Sequence, residues 1–463
     1  MSFINENQIN QILKKTSQPQ KQRVEEVLNK ALTLKGLELE EVSVLLNIYD
    51  NASLNRLFNT ALKIKEEIYG KRLVLFAPVY VSNYCSNNCL YCGFRKDNKE
   101  MKRRCLTLEE LKEETKFILE QGHKRILMLM GEHTQKCGFE YFLKGLRAAY
   151  SVSDSKENTI RRINIEIQPL TEEQFQKLSK EKIGTYTVFQ ETYHKATYKK
   201  MHPIGKKADY EWRLNTMDRA LNNGLHDIGI GALFGLYNYK FEVMALIQHA
   251  QHLDKTFNIG PHTISIPRLE HAQNAPVAIT PPCKVSDNDF KKLVAVLRCA
   301  VPYTGIILST RESAQIRKEV LNLGVSQISA GSKTNPGGYK EASANSENEE
   351  QFSLSDTRSS GEVIKSVLKQ GFIPSFCTGC YRRGRVGRDF MDLAKPGLIK
   401  QHCLPNALTT LKEYLEDYAD EETKKIGTEL IKRKLNEISD KDVKQKTTMY
   451  LNQIEKGERD LYF

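Results

Sequence analysis

Eight short apolar runs punctuate this chain, and an amphipathic stretch separates each one from the next. The runs are "RLVLFAPVYV" from Arg72, "RILMLM" from Arg125, "RINIEI" from Arg162, "TYTVFQ" from Thr185, "IGIGALF" from Ile228, "HTISIP" from His262, "GIILS" from Gly305 and "SQISAG" from Ser326. Each is short enough for a strand buried on both faces. The intervening stretches carry helix start and stop signals: "TLEELKEETKFILEQG" opens on Thr107 ahead of acids and stops at Gly122, and "SDNDFKKLVAVLRCA" opens on Ser286. Strand and helix alternating eight times predict parallel pairing with crossover helices, and an eightfold closed barrel is the economical solution. A doubly wound open sheet is the alternative. The fold class expected is therefore α/β, a (βα)8 barrel over residues 71–372 with additions at both ends. Residues 1–70 show helical spacing through Ile9, Ile12, Leu13, Val24, Val27, Leu28 and Leu32, and predict an N-terminal helical extension. Residues 373–463 form a C-terminal, mostly helical domain, whose charged tail from about Leu411 reads as two helices. The polar segment from Ser332 to Gly361 has loop composition and is placed as a lid over the barrel.

Composition narrows the setting. None of the apolar runs among the 463 residues reaches the length of a membrane span. The N-terminus lacks a basic, apolar and small-residue leader, so the expectation is a cytoplasmic protein with no membrane partner. Ten cysteines in such a chain favour metal binding over disulfides. Six fall into two trios, while Cys105, Cys137, Cys283 and Cys299 lie singly and read as small apolar residues. The net charge of +12 arises from Lys and Arg interspersed with acids, with no aromatic and basic module for nucleic acid. A solvated surface that attracts small anions accounts for it.

The first trio is "CSNNCLYC", Cys85, Cys89 and Cys92, directly after the first strand and so at the catalytic face of the barrel. Three thiolates on one tight loop suit three corners of a cuboidal iron–sulfur cluster and leave one iron open, as a catalytic centre requires. The alternative is a zinc site with a distant fourth ligand. Cys85, Cys89 and Cys92, with Tyr91 before the last of them, resemble the signature of the radical S-adenosylmethionine (SAM) enzymes. The resemblance implies a 4Fe-4S cluster whose open iron binds SAM, an electron donor, and hydrogen abstraction from a substrate. It also implies that Gly131 and Glu132 after the second strand hold SAM, together with Tyr91, Glu166, Gln190 and Arg213. An Arg beside the SAM carboxylate is a natural bidentate partner.

The second trio is Cys377, Cys380 and Cys403, with two and twenty-two residues between successive members. A zinc site of Cys377, Cys380, His402 and Cys403 competes with a second cluster on spacing alone. The eighth helix returns the chain to the bottom of the barrel, so this trio is expected opposite Cys85, on the order of 20 Å or more away. His262 opens the sixth strand at that same end. Together, "CSNNCLYC", "MGEH", "GPHTISIPR", "STRES" and the C-terminal cysteines resemble the tyrosine lyases of [FeFe]-hydrogenase maturation. The 2-iminoacetate synthases, which share the barrel motifs without the C-terminal trio, are the nearest alternative. The resemblance implies cleavage of the Cα–Cβ bond of L-tyrosine to p-cresol and dehydroglycine, then carbon monoxide and cyanide. It further implies a second, auxiliary 4Fe-4S cluster with an additional iron held by His262 and a free cysteine, and other maturation proteins as partners. Small products would have to cross the barrel interior. Arg311 and Ser309, just past the seventh strand, are placed to take the tyrosine carboxylate; a surface pairing of Arg311 with Glu312 is the plain alternative.

Overall fold

The computed structural model describes residues 2–341 and 348–463. Nine parallel strands are present among them: β1 (Arg72–Ser82), β2 (Arg125–Met130), β3 (Arg162–Glu166), β4 (Tyr186–Glu191), β5 (Ile228–Ala232), β6 (Thr263–Ser265), β7 (Gly305–Leu308), β8 (Gln327–Ser329) and β9 (Ile373–Ser375). The order runs β2 to β8 in sequence, then β1, and β1 pairs back onto β2, which closes an eight-stranded barrel. The open-sheet alternative is thereby excluded.

Closure depends on the length of β1. Its lower part, Val74 to Phe76, bonds to β8, and its upper part, Ala77 to Ser82, bonds to β2. Below Ala77 that second edge would lie open, and β9 fills it, pairing Arg72 with Ile373 and Val74 with Ser375. This ninth strand was not expected from sequence. It has three residues, one of them Pro374, and a proline in so short a run argues against a strand unless one edge needs no N–H donor.

The helices follow their local signals. Thr107 forms a capping box with Glu110 at the start of Leu108–Glu120, and Ser286 caps Asp287–Ala300. The amphipathic stretch "KADYEWRLNTMDRALNNG" forms two helices, Tyr210–Leu214 and Thr216–Asn222, broken at Asn215. Four helices precede β1 and pack on the barrel helices Tyr239–Phe257 and Asp287–Ala300. Their buried side chains join one apolar core that runs from Ile4 to Leu451. The tail has three helices, Lys400–Asp417, Glu421–Leu435 and Lys441–Glu455, where two were expected from Leu411. The first begins earlier because its buried face, from Cys403 to Leu415, packs on β9, and it carries Pro405 within its first turns. No helix among the described residues is long and apolar enough to cross a membrane.

The barrel interior holds two cavities stacked along its axis. The lower, of about 40 Å³, is lined by Val74, Arg162, Gly305 and Gln327, and the upper, of about 100 Å³, by Phe76, Asn164, Ile307 and Ser329. Each pair is one inward step along a strand, so the two cavities are lined by successive levels of the same strands. Beneath β7 and β8, the wholly buried Arg298 donates to the carbonyls of Pro302 (2.6 Å), Thr304 (2.7 Å) and Gly324 (2.7 and 2.9 Å). These bonds tie together the turns that launch two strands. Arg298→Met leaves the carbonyls unpaired, and should lower stability by about 3 kcal/mol or more, read as a fall in the thermal unfolding midpoint.

Candidate active site and a second thiol centre

The loop Asn83–Arg95 is held by a dense set of bonds before any ligand is considered. Ser86 N and Oγ both donate to the Glu132 carbonyl (2.8 and 2.9 Å), and Asn87 Nδ2 donates to the Glu132 carboxylate at 2.6 Å. Leu90 N reaches Met201 O at 3.1 Å and Gly93 N reaches Gln351 O at 2.9 Å. From below, the Arg103 guanidinium binds the carbonyls of Asn83, Phe94 and Arg95 at 2.6 to 2.8 Å. Gly131 crosses beneath the loop so closely that a Cβ would overlap the Tyr84 carbonyl oxygen. Gly131 and Glu132, expected at SAM, thus also build the cysteine loop.

Cys89 is buried and Cys85 and Cys92 are half-buried, and the thiols lie close enough to oppose one another's ionisation: Cys89 is pushed up to about 12 by burial, against the field of Lys207, and burial also raises Cys92. Gln351 Nε2 lies 3.7 Å from the Cys92 sulfur. Tyr91 is buried with its hydroxyl 2.8 Å from His202 Nε2, and His202 Nδ1 lies 2.8 Å from Tyr198 O. A ring donating at Nδ1 and accepting at Nε2 satisfies both contacts, and burial holds His202 neutral, down to about 3.

At the end of β4 the register slips between Phe189 and Glu191. Glu191 takes φ 69°, a left-handed conformation unusual for a side chain of its kind, and the bulge turns it toward the cysteine loop. There it accepts from Lys207 at 2.5 Å and lies 3.7 Å from Arg213, and these cations keep it ionised against burial. Arg213 also donates from Nε to Phe189 O at 2.6 Å. Gln190, 3% exposed, has an amide nitrogen with no partner among the described residues. Lys207 and His202 escaped the sequence reading, because "MHPIGKKAD" looks like a surface loop; the one signal is that it follows β4.

The upper cavity lies beside this cluster of charge. Arg311, Ser309 and Phe352 are in its wall, and so is Glu166, which was expected at SAM and instead lines the space beside Arg311. Arg311 stacks on the Phe352 ring at 3.3 Å and makes no ion pair among the described residues. Glu312 instead pairs with Arg268, so the pairing of Arg311 with Glu312 does not occur. Burial outweighs the acids around Arg311 and lowers its proton affinity. Glu166 is raised to about 7, by burial and then by Glu191. The polar segment supplies part of the cavity's roof: Ser332, Thr334, Gln351 and Phe352 line it, and Tyr80 Oη donates to Gln351 Oε1 at 2.7 Å. The middle of that segment, residues 342–347, lies outside the described residues.

At the barrel's other end, Cys377, Cys380 and Cys403 line the lower cavity with His262, His402, Arg72 and Arg125. His262 Nδ1 lies 3.6 Å from Asp227, and burial pulls the ring down to about 4, so it offers a neutral nitrogen. Asp227 is held by Arg162 at 2.5 Å. His402 is beside the thiols, but among the described residues no three His, Cys, Asp or Glu side chains converge closely enough to hold one metal ion. Burial drives Cys377 upward and Cys403 to about 12, and Arg72 is the main cation opposing this at Cys403.

Both thiol groups fit an iron–sulfur cluster by this chemistry. Buried thiols ionise readily once iron supplies positive charge. At the lower site the Nε atoms of Arg72 and Arg125 are buried without partners among the described residues, as suits an anionic cluster. Glu270 and His271, near β6, are not in the lower cavity's wall.

Residues 79–250 match the radical SAM superfamily and residues 265–373 the biotin and thiamin synthesis associated domain. The 2-iminoacetate synthase of Escherichia coli (strain K12) is 32% identical over 348 residues, which is 75% of this chain and 89% of that protein. A crystal structure of HydG, a maturase of the [FeFe]-hydrogenase, is 49% identical, with TM-score 0.96 and 100% of both chains covered. The HydG of Carboxydothermus hydrogenoformans is 41% identical, with TM-score 0.84, over 96% of this chain and 97% of that one.

Gly131→Ala forces the Tyr84 carbonyl and Cys85 apart. It should cost about 1–3 kcal/mol and halve the iron and sulfide held at the upper trio, counted per chain after anaerobic reconstitution in a Cys377/Cys380/Cys403→Ser background.

Proposed function

Because this chain belongs to the radical SAM superfamily, in the group that contains HydG and 2-iminoacetate synthase, we propose that it is the hydrogenase-maturing tyrosine lyase. It cleaves L-tyrosine to p-cresol and dehydroglycine at the upper site, then yields carbon monoxide and cyanide for iron at the lower. The observation that carries an amino-acid substrate is Arg311, a half-buried guanidinium with no ion pair among the described residues, stacked on Phe352 in the cavity beside the cysteine loop.

Cys85, Cys89 and Cys92 would hold the first 4Fe-4S cluster. Bound there with SAM and reduced by an electron donor, it supplies the radical that removes hydrogen from the substrate amino group. Around it, Gly131, Glu132, Gln190 and Arg213 bind SAM, with Arg213 forking onto the carboxylate and the Gln190 amide giving an unused donor. Tyr91 is fixed through His202, and Lys207 keeps Glu191 ionised where a ribose or amine would sit. Arg311 clamps the tyrosine carboxylate, with Ser309 beside it, and the side chain points down toward Asn164 and Ser329.

Cys377, Cys380 and Cys403 would hold the auxiliary cluster, with His262 on an additional iron bridged by free cysteine. A small product would pass from the upper cavity to the lower along the barrel interior. The protein works in the cytoplasm with other maturation proteins. A second reading, the 2-iminoacetate synthase reaction, is favoured by the barrel alone but leaves a quarter of the chain without a counterpart.

Reconstituted protein given SAM, a reductant and tyrosine should form p-cresol, carbon monoxide and cyanide. p-Cresol without carbon monoxide favours the synthase reading, and one cluster plus zinc sinks the maturase reading. Replacing Cys377, Cys380 and Cys403 by Ser should leave p-cresol formation within about twofold and abolish iron-bound carbon monoxide seen by infrared spectroscopy. Arg311→Lys should raise the KM for tyrosine about 100-fold, since a point charge replaces a fork.

A further inference from the structure

Among the carboxylates near the upper site, Glu166 stands apart. Glu132 accepts from Asn87, Glu191 from Lys207, and Glu312 from Arg268. Glu166, at the end of β3, is in the cavity wall and accepts no hydrogen bond from any described residue. Glu270, the other acid near Arg311, does not line the cavity. An acid left unpaired beside Arg311 and Lys207 costs stability unless it is used.

The cavity sets a carboxylate and a guanidinium around one small space. An α-amino acid carries an ammonium and a carboxylate on the same carbon, so a molecule seated on Arg311 presents its ammonium to the adjoining upper wall. Asn164, one inward step below Glu166, faces the side chain instead. Hydrogen removal from nitrogen has a chemical requirement: an ammonium has no lone pair to stabilise the radical formed, so the amine must first be neutral. Resting on the tyrosine lyase reading, we propose that Glu166 is the base that takes one proton from the α-ammonium of the bound amino acid. The N–H bond breaks heterolytically, its electron pair stays on nitrogen, and the proton passes to a Glu166 carboxylate oxygen. No oxidant or reductant is needed.

The surroundings favour this transfer. Arg311, Lys207 and Arg213 place positive charge near the ammonium and disfavour it, while burial makes a neutral acid and amine cheaper than two enclosed ions. Glu166 sits near 7, far closer to an amine than an ordinary carboxylate does. The other groups around it hold their charge near neutrality: Glu191 is lowered, Tyr80 is raised far up, and Lys207 is raised. Glu166 ionises as pH rises, so base catalysis switches on upward through about 7.

The test compares wild type, Glu166→Gln and Glu166→Asp in p-cresol formation from pH 5.5 to 9, with tyrosine binding to the reconstituted protein, SAM withheld so that no turnover occurs, measured by calorimetry. Wild-type kcat/KM should climb to a plateau with a midpoint near 7. Glu166→Gln should lose about 100-fold in kcat and that midpoint, yet bind tyrosine within about threefold of wild type. Glu166→Asp should recover part of the rate and a shifted midpoint. A Gln variant with the wild-type profile, or one that loses tyrosine binding more than tenfold, overturns the base role and leaves the lyase reading standing. Wild-type protein that cleaves SAM but forms no p-cresol removes the lyase reading and this inference together.

Discussion

Strand β1 is the member on which both sites hang. Its eleven residues bond to β8 and β9 in the lower part and to β2 in the upper. Arg72 at its start faces the lower thiols, and three residues past its end comes Cys85. Ten residue steps at about 3.3 Å, less the strand tilt, separate these ends by roughly 25 Å. A strand spanning that length cannot be satisfied by one neighbour on each edge, which is why β9 exists. Closing the lower edge brings Ile373 to Ser375 into the sheet, and the chain emerges from it directly into Cys377.

The same constraint that orders the backbone orders the charge. Thiols, carboxylates and guanidiniums are buried at both ends of the barrel, and each must find an opposite charge or a metal. At the top, Glu191 is answered by Lys207 and Arg213, and the bulge that delivers it requires a left-handed residue at that point. At the bottom, Asp227 is answered by Arg162, which leaves Arg72 and Arg125 facing the thiols. Both ends gather charge around a cavity, but the upper one, about 100 Å³ against about 40 Å³, is the roomier and is roofed by Phe352, where a flat side chain can lie.

Legibility differed by range. Local patterns were read well: Thr107 and Ser286 cap the helices expected there, and six apolar runs coincide with β1 to β5 and β7 to within two residues at either end, while β8 keeps only the middle of its run. β6 is shorter than its run because Pro267 ends it. Features that depend on a distant partner were not legible. β9 is a strand only because β1 offers an open edge. Lys207 looks like a surface lysine until Glu191 is turned toward it. Arg311 and Glu312 are neighbours in sequence, yet Arg268 takes Glu312 and leaves Arg311 to the cavity.

The sequence by itself determined the barrel, the two cysteine trios and their opposite ends, because strand period, crossover handedness and thiol spacing are set by residues close along the chain. Tertiary structure decided which charges are paired and which are left over. Pairing is a competition among groups brought together only when the barrel closes, and its outcome turns on distances of an ångström or so that no local pattern encodes. Glu166 and Arg311, the acid and cation left without ion-pair partners among the described residues, are products of that competition.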